Sequence, residues 1–455
     1  MAMDFTSLLT SFGSRHCLVT SDASVSYEEI AARIRGWQAQ LSKLGCRAGQ
    51  VFAVRSDYSS EACALLLAIT AIGAIVVPLS PSGAAKTEEY LEVGQVEGVF
   101  VLPRSGQWTF DERAVPLPRH ELITQLGREG APGLILFSSG STGRSKASLL
   151  NFQKLTQRLG QKPGRAYRTL AFLLLDHIGG INTLLNVLGH GGTVVTPASR
   201  TPNAVCEAIK RHRVQLLPTS PTFLNMLLIS EAYKEHDLSS LELITYGTEP
   251  MPEATLAALR DAFPRVRLKQ TYGLSELGIM PTQSKSSDSL WMKLGSDGFE
   301  HKIVDGILWI RSSSAMLGYL NAPSPFDAEG WFNTQDMVET DGDYVRVLGR
   351  RSEIINVGGE KVYPSEVESV LLAAGNVRDV TVSAKANAIT GQVVSARVSL
   401  IAPEDATVAA SRLLCFCESR LERYKVPVKI NISDDDHHGD RFKKNRFAAI
   451  EGEAQ

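Results

Sequence analysis

Cysteine is scarce: the chain has six in 455 residues. That density excludes a disulfide-stapled scaffold. Cys17, Cys46, Cys63 and Cys206 stand alone, and Cys415 and Cys417 form a C-x-C pair with no second ligand pair to complete a metal site. They read as reduced, structural thiols of a cytoplasmic protein. Long apolar runs are missing too. None reaches the ~18 residues of a membrane span, and the longest candidate, 62–79, is rich in small residues and runs into Pro78. Residues 1–15 lack a basic segment followed by an apolar one, so no secretory leader is expected. No excess of one charge exists either: 47 Lys and Arg face 49 Asp and Glu, a net charge of -2. Nothing therefore points to nucleic acid or an anionic membrane as partner. What remains is 44% hydrophobic and 21% charged residues, a globular balance that excludes disordered and collagen-like chains. The length suits about three structural units at ~150 residues each, or a large composite domain plus a small one.

Along the first part of the chain, helix and strand signals alternate. Ile30, Ile34, Trp37 and Leu41 carry helical spacing over 27–44, with Ser26 as a candidate cap. Strands are expected at 51–54, 75–77, 134–137, 173–175, 193–195 and 242–245, with a helix over 61–72 and another beginning near Asn182. Strand–helix–strand with short turns implies a parallel sheet. After Gly306 the texture changes: 307–311 and 344–348 read as antiparallel strands around a turn at Asp341-Gly342. Helices are expected at 366–372 and 410–423, and strands at 377–383 and 393–400. We place a boundary near 349–352, which divides the chain into 1–350 and 351–455.

Two stretches carry chemistry. An apolar strand at 134–137 runs into Ser138-Ser139-Gly140-Ser141-Thr142-Gly143-Arg144-Ser145-Lys146. Glycines let backbone N–H groups approach phosphate oxygens, hydroxyls add donors, and the lysine adds a positive charge. The spacing is not that of a Walker loop, because Lys146 follows a serine. Such a density of Gly, Ser and Thr behind a buried strand favours a phosphate loop over a plain polar turn. The second stretch is Gln270-Thr271-Tyr272-Gly273-Leu274-Ser275-Glu276. It offers an aromatic for base stacking, a hydroxyl for a phosphate and a carboxylate for Mg²⁺, although a capped helix start would account for Ser275 and Glu276 equally well.

Together these stretches resemble the adenylate-forming superfamily of acyl- and aryl-CoA synthetases, nonribosomal-peptide adenylation domains and luciferases. Further motifs follow in the family's order: Asp176-His177-Ile178-Gly179-Gly180, Tyr246-Gly247-Thr248-Glu249, Trp331-Phe332-Asn333-Thr334-Gln335-Asp336, the hinge motif from Gly349-Arg350-Arg351-Ser352-Glu353 to Glu366, and Phe442-Lys443-Lys444-Asn445-Arg446. The resemblance implies an α/β protein with a large N-terminal domain of mixed α/β subdomains and a small, mobile α+β C-terminal domain that carries the catalytic lysine. It implies ATP and Mg²⁺ as cofactors, a carboxylic acid as substrate, and CoA or a carrier-protein phosphopantetheine as thiol acceptor.

Residue by residue, the resemblance assigns Lys443 to bridging the carboxylate and phosphate oxygens, and Glu276 to Mg²⁺. Ser138, Ser139, Gly140, Ser141, Thr142, Gly143 and Lys146 would enclose the β- and γ-phosphates. Asp336 and Arg350 would contact the ribose hydroxyls, Tyr272 would flank the adenine beside Gly247 and Thr248, and Ser275 would reach a phosphate. Asp176, His177, Ile178, Tyr246, Gly247, Leu277 and Met280 would line the acid site, with His177 able to gate it. By themselves several of these are ordinary. The basic run 441–446 reads as a solvated face, Asp336 as a loop acid, and the loop 434–438 as polar surface rather than a metal site. Only Lys443 keeps the K-x-x-R spacing to Arg446. Gln335 and Phe442 stand where the family usually has glycine, Ser145 where it has proline, and Ser352 at the hinge where Asp or Lys is common. None of these departures removes a group essential to the chemistry.

The mainly apolar pocket set favours an aryl or medium acyl acid with CoA as acceptor. A free-standing adenylation enzyme that loads a carrier protein, with an aryl, acyl or amino acid, is the second reading. A catalytically inactive nucleotide-binding relative is the third.

Overall fold

The computed structural model describes residues 5–20, 23–81, 86–104, 107–115, 117–139, 145–157, 159, 164–295 and 297–433. Local chemistry explains the first elements. The helix Tyr27–Lys43 begins at a reciprocal cap, in which Ser26 accepts from the Glu29 N–H and Glu29 accepts from the Ser26 N–H. Its Ile30, Ile34, Trp37 and Leu41 fall on one buried stripe. The helix Ser60–Ala71 is capped by Ser59 and buried almost all round. It connects the strands Val51–Arg55 and Ile75–Leu79, which pair in parallel with Phe52 opposite Val76. Gly73, at φ 74°, makes the turn between them, and its carbonyl accepts from the Gly49 N–H.

Two seven-stranded sheets dominate the chain. In the first, the strands Arg267–Gln270, Leu243–Tyr246, Leu216–Thr219, Arg168–Leu170, Thr193–Val195 and His16–Val19 run parallel in that order, and Ser24–Ser26 closes one edge antiparallel. In the second, Gly133–Ser139, Ile75–Leu79, Val51–Arg55 and Gly98–Val101 form a parallel centre. Antiparallel strands flank that centre: Thr109–Glu112 on one side, Ser145–Asn151 followed by Gly318–Tyr319 on the other.

The two sheets share a core that includes Tyr27, Ile34, Leu65, Ile178 and Leu184. Polar ties cross between them. The Tyr58 hydroxyl donates to the Gly180 carbonyl at 2.6 Å, and the Tyr27 hydroxyl to the Gly192 carbonyl at 2.8 Å. Asp57, at the end of its strand, is held by Arg200 at 2.9 Å and Arg104 at 3.0 Å. Burial pushes the Asp57 carboxyl up, but the two guanidiniums outweigh it and bring it down to about 2.

A six-stranded antiparallel sheet follows, ordered Thr282–Ser284, Met292–Leu294, Tyr344–Arg350, Phe332–Asp341, Ile307–Ser312, Phe299–Val304. The chain then builds a smaller α+β domain. A five-stranded sheet (Glu360–Val362, Ile355–Val357, Gly391–Leu400 and Val377–Asn387, with Lys429–Ile432 beside Gly391–Leu400) packs with the helices Pro364–Leu372 and Ala406–Glu418. Its core draws only on residues from Ile355 onward. It meets the larger domain through hydrogen bonds such as Asn225 Nδ2 to the Arg378 carbonyl at 2.9 Å and the Ala254 N–H to Ser369 Oγ at 3.4 Å. No helix among the described residues is long and apolar enough to cross a membrane.

Two stretches differ from the sequence expectation: the helix expected at 410–423 runs Ala406–Glu418, and the segment before residue 182 is built differently. Residues 173–175 form no strand; the strand is Arg168–Leu170, and the helix expected near Asn182 already starts at Ile178. The first turn of that helix contains Gly179 and Gly180, which hides it from a reading of apolar periodicity. A Cβ on Gly180 would lie 1.9 Å from the Leu174 carbonyl oxygen. The glycines therefore let the helix start fold back onto the preceding segment.

Candidate active site

Chemistry in open parallel sheets gathers beyond the carboxyl ends of the strands. The strand Gly133–Ser139 ends there and pairs with Ser145–Asn151, Ser138 opposite Lys146 and Ser139 opposite Ser145. Gly140, Ser141, Thr142 and Gly143 lie outside the described residues, as do Lys443 and the loop 434–438. The return strand is fixed by Asn321, whose Oδ1 accepts from the Ala147 N–H at 3.0 Å and whose Nδ2 donates to the Ser145 carbonyl at 2.8 Å. Ser145, where proline is usual in the family, is buried and shares a hydrogen bond of 3.1 Å with the Tyr90 hydroxyl, while the Tyr90 ring stacks on Phe137 at 4.1 Å. Lys146 Nζ lies 5.2 Å above the ring of Tyr319.

Ser275 and Glu276 do not open a helix. They sit in the turn of a hairpin, Tyr272–Leu274 against Gly278–Met280. Glu276 is 9% exposed, and its Oε1 accepts from the Tyr319 hydroxyl at 2.7 Å. Burial first, then the Glu276 charge, pushes the Tyr319 hydroxyl far up, so it stays a donor. Among the described residues no group of three or more His, Cys, Asp or Glu side chains gathers into a metal cage. A single buried carboxylate fits a Mg²⁺ that otherwise keeps waters and substrate phosphates as ligands.

Asp336 sits opposite Arg350 on paired strands. Its Oδ1 is 3.0 Å from Arg350 Nε, and its Oδ2 accepts from the Tyr272 hydroxyl at 2.5 Å. Burial and then the Asp336 charge keep the Tyr272 hydroxyl protonated, well above its ordinary range. Burial would lower Arg350, but the charge of Asp336, with those of Glu276 and Glu353, outweighs it and raises the guanidinium. Asp336 is thus ion-paired with the guanidinium, and the Glu276 charge acts on the same cation. The Asp336 N–H is held by Thr334 Oγ1 at 3.0 Å, and Thr334 in turn donates to the Leu308 carbonyl at 2.7 Å.

Gln335, between Thr334 and Asp336, has φ 61°. The glycine usual here in the family is replaced, but the left-handed turn it serves is kept, at a steric cost of about 1–2 kcal/mol. Gln335→Val should lower stability by about 1–2 kcal/mol, because a β-branched residue tolerates that conformation poorly. Gln335→Gly should be neutral or stabilising by about 0.5 kcal/mol. Thermal midpoints in the order Gly, Gln, Val would agree; Val equal to Gln would mean the turn is not kept in solution.

The residues expected at the acid site come from three cores. Ile178 is buried in the core between the large sheets, Tyr246 in that of the first sheet, and Leu277 and Met280 in that of the antiparallel sheet. The helix Ile178–Gly189 lies against the strand Gly278–Met280, which brings two of these cores together. His177 caps that helix: its Nδ1 accepts from the Gly179 N–H at 3.0 Å, so the neutral ring carries its proton on Nε2. Asp176 precedes it, half-buried. Gly247 packs on Thr271, whose Oγ1 would be 2.6 Å from an added Cβ. Next to it the exposed Thr248 holds φ 75°, a strained conformation for a β-branched residue and of the kind that concentrates at functional sites. Glu249 anchors the far side by accepting from the Thr222 N–H at 2.8 Å and from its hydroxyl at 2.5 Å.

Sequence reasoning missed Tyr319 and Asn321. The signal was the run Gly318-Tyr319-Leu320-Asn321, polar groups directly behind the short strand Gly318–Tyr319.

Comparison with known proteins gives the family and the fold. The family described as AMP-binding enzyme matches residues 7–320, more than half of the chain. An indoleacetate–CoA ligase of Aromatoleum aromaticum is 28% identical over 91% of this chain and 90% of its own length. A 2-succinylbenzoate–CoA ligase of Bacillus pumilus is 25% identical, covering 92% of each chain. Among solved structures, an anthranilate CoA ligase in complex with anthranoyl-AMP superposes with a TM-score of 0.83 at 21% identity, over 98% of this chain and 96% of its own. The chain belongs to the AMP-binding enzyme family, and it is an ATP-dependent, AMP-forming acid–thiol ligase.

Proposed function

We propose that the acid is an aryl or medium acyl carboxylic acid, that the thiol is CoA, and that ATP is used with Mg²⁺. The observation that carries the nucleotide site is the clustering of Tyr272, Asp336 and Arg350 beside Glu276 and Tyr319. In this reading Asp336, paired with Arg350, takes the ribose hydroxyls, and Glu276 takes the metal. The apolar surroundings of Ile178, Leu277 and Met280 support an aryl or acyl chain, as do relatives named for indoleacetate and 2-succinylbenzoate.

In the first step a carboxylate oxygen attacks the α-phosphorus, the bond to the β-phosphate oxygen breaks, and pyrophosphate leaves. Asp336 accepts from the ribose hydroxyls with Arg350 beside it, and Tyr272 flanks the base near Gly247 and Thr248. The stretch from Ser138 to Lys146 encloses the β- and γ-phosphates, Ser275 reaches a phosphate, and Glu276 would hold a Mg²⁺, which when bound would supply positive charge against the phosphates. Lys443 neutralises the charge that develops between carboxylate and phosphate. His177, through Nε2–H, faces the acid beside Asp176. In the second step the thiol sulfur attacks the acyl carbon, and AMP departs. The smaller domain, 351–455, rotates about the hinge at Ser352 between the two steps.

The test is acid-dependent pyrophosphate release across aryl, fatty and amino acids, with and without CoA. One acid giving a strong response that CoA accelerates, with an acyl-CoA product, is the expected result. Adenylation indifferent to CoA would overturn the acceptor and move it to a carrier-protein phosphopantetheine. A response to amino acids alone would overturn the acid class.

A further inference from the structure

We infer that Tyr319 is a positioning residue that couples the phosphate-loop lysine to the metal carboxylate, an inference that rests on Glu276 holding Mg²⁺. The hydroxyl of Tyr319 donates to Glu276 Oε1 at 2.7 Å, and its ring lies 5.2 Å beneath Lys146 Nζ. One aromatic side chain thus touches an anion at its tip and a cation on its face.

The fold imposes both contacts. Tyr319 pairs with Ser148 on the strand that returns from the phosphate loop. Lys146, two residues from Ser148, points to the same face of that strand, so it meets the ring diagonally. Glu276 arrives from a different element, the turn of the hairpin Tyr272–Leu274/Gly278–Met280. Its own backbone is pinned there, since the Glu276 carbonyl accepts from the Met316 N–H at 2.7 Å. Backbone pinning leaves the side-chain torsions free, and the Tyr319 hydroxyl is what fixes them. It takes one lone pair of Oε1. An ionised carboxylate offers about four acceptor positions, so a cation can bind without displacing the tyrosine. Partners that orient a metal ligand in this way change metal affinity about 10–100-fold when removed.

The test separates the hydroxyl from the ring. ATP binding is measured by calorimetry without acid, so that the nucleotide stays intact, once with Mg²⁺ and once with EDTA. The ratio of the two affinities reports what the metal site adds. Tyr319→Phe keeps the ring under Lys146 and removes the donor. It should cut the ratio by about ten-fold and leave the affinity in EDTA within about two-fold of wild type, and the Mg²⁺ concentration for half-maximal pyrophosphate release should rise in parallel. Tyr319→Leu also removes the ring and should weaken binding in EDTA by about three-fold, the size of an exposed cation–π contact. An unchanged or larger ratio in Tyr319→Phe overturns the inference. Glu276→Gln distinguishes the two layers: if it lowers the ratio and Tyr319→Phe does not, only the tyrosine's role fails. If Glu276→Gln also leaves the ratio unchanged, the metal role of Glu276 fails with it.

Discussion

Lys443→Ala should slow adenylate formation by roughly three orders of magnitude, while ATP affinity stays within about two-fold of wild type. The expectation comes from charge. Attack of a carboxylate on the α-phosphate brings two anions together, and the transition state gathers further charge on the α-phosphate oxygens. A fixed ammonium bridging both is needed only at that moment, so its loss appears in the rate and not in ATP binding. The choice of Lys443 over Lys444 rests on the spacing to Arg446, and the described residues end before it. Lys444→Ala is therefore the control and should retain nearly full activity. Thioester formation from a supplied acyl-adenylate should survive Lys443→Ala, because that step has no α-phosphate attack to assist. A normal adenylation rate in Lys443→Ala would falsify the assignment, and a collapse confined to Lys444→Ala would move it by one residue.

The elements that sequence made legible are those whose local signals agree with their packing. The helix Tyr27–Lys43 has a capping box and one apolar stripe, and the strand–helix–strand unit from Val51 to Leu79 has apolar runs cut by turns. Where local and tertiary signals part, legibility fails. Leu173, Leu174 and Leu175 look like a buried strand. The chain leaves the sheet after Leu170 and uses those residues to receive the start of the helix Ile178–Gly189, a contact that only Gly179 and Gly180 allow. Ser275 and Glu276 carry the residue types of a helix start, yet Gly278 at φ 84° closes a hairpin instead. In the candidate site, Asp336 and Arg350 are fourteen positions apart in sequence, and only their register in an antiparallel pair sets them opposite each other. The partners of Tyr319 were hidden for the same reason. Lys146 and Glu276 are distant in sequence and come from two different sheets. Motifs name chemical groups; register and sheet order decide which of them meet.

That register gives Asp336 the second large effect. Asp336→Asn should weaken ATP binding about 100-fold. The carboxylate is buried, and each oxygen already has one donor: Arg350 on Oδ1 and Tyr272 on Oδ2. An ionised carboxylate has about four acceptor positions, and a ribose offers two adjacent hydroxyls as donors. Hydrogen bonds to a charged acceptor contribute about 1.5–3 kcal/mol each. Loss of the charge weakens both, and the amide presents a donor where one hydroxyl needs an acceptor, so about 2.7 kcal/mol, or 100-fold, is a conservative sum. Asparagine keeps the shape and its oxygen can still accept from the Tyr272 hydroxyl; its NH₂ then faces the Arg350 Nε–H, but the Arg350 side chain is half exposed and can turn to water, so the fold should hold, with a thermal midpoint within a few degrees of wild type. The nucleotide itself supplies the decisive comparison. On the wild-type enzyme, 2′-deoxy-ATP and 3′-deoxy-ATP should each bind about ten-fold more weakly than ATP. On Asp336→Asn the deoxynucleotides should bind nearly as well as ATP, because the group that discriminates them is gone. Equal discrimination in both proteins would show that Asp336 acts only by holding Arg350 and Tyr272, and the hydroxyls would then have to be read by another residue.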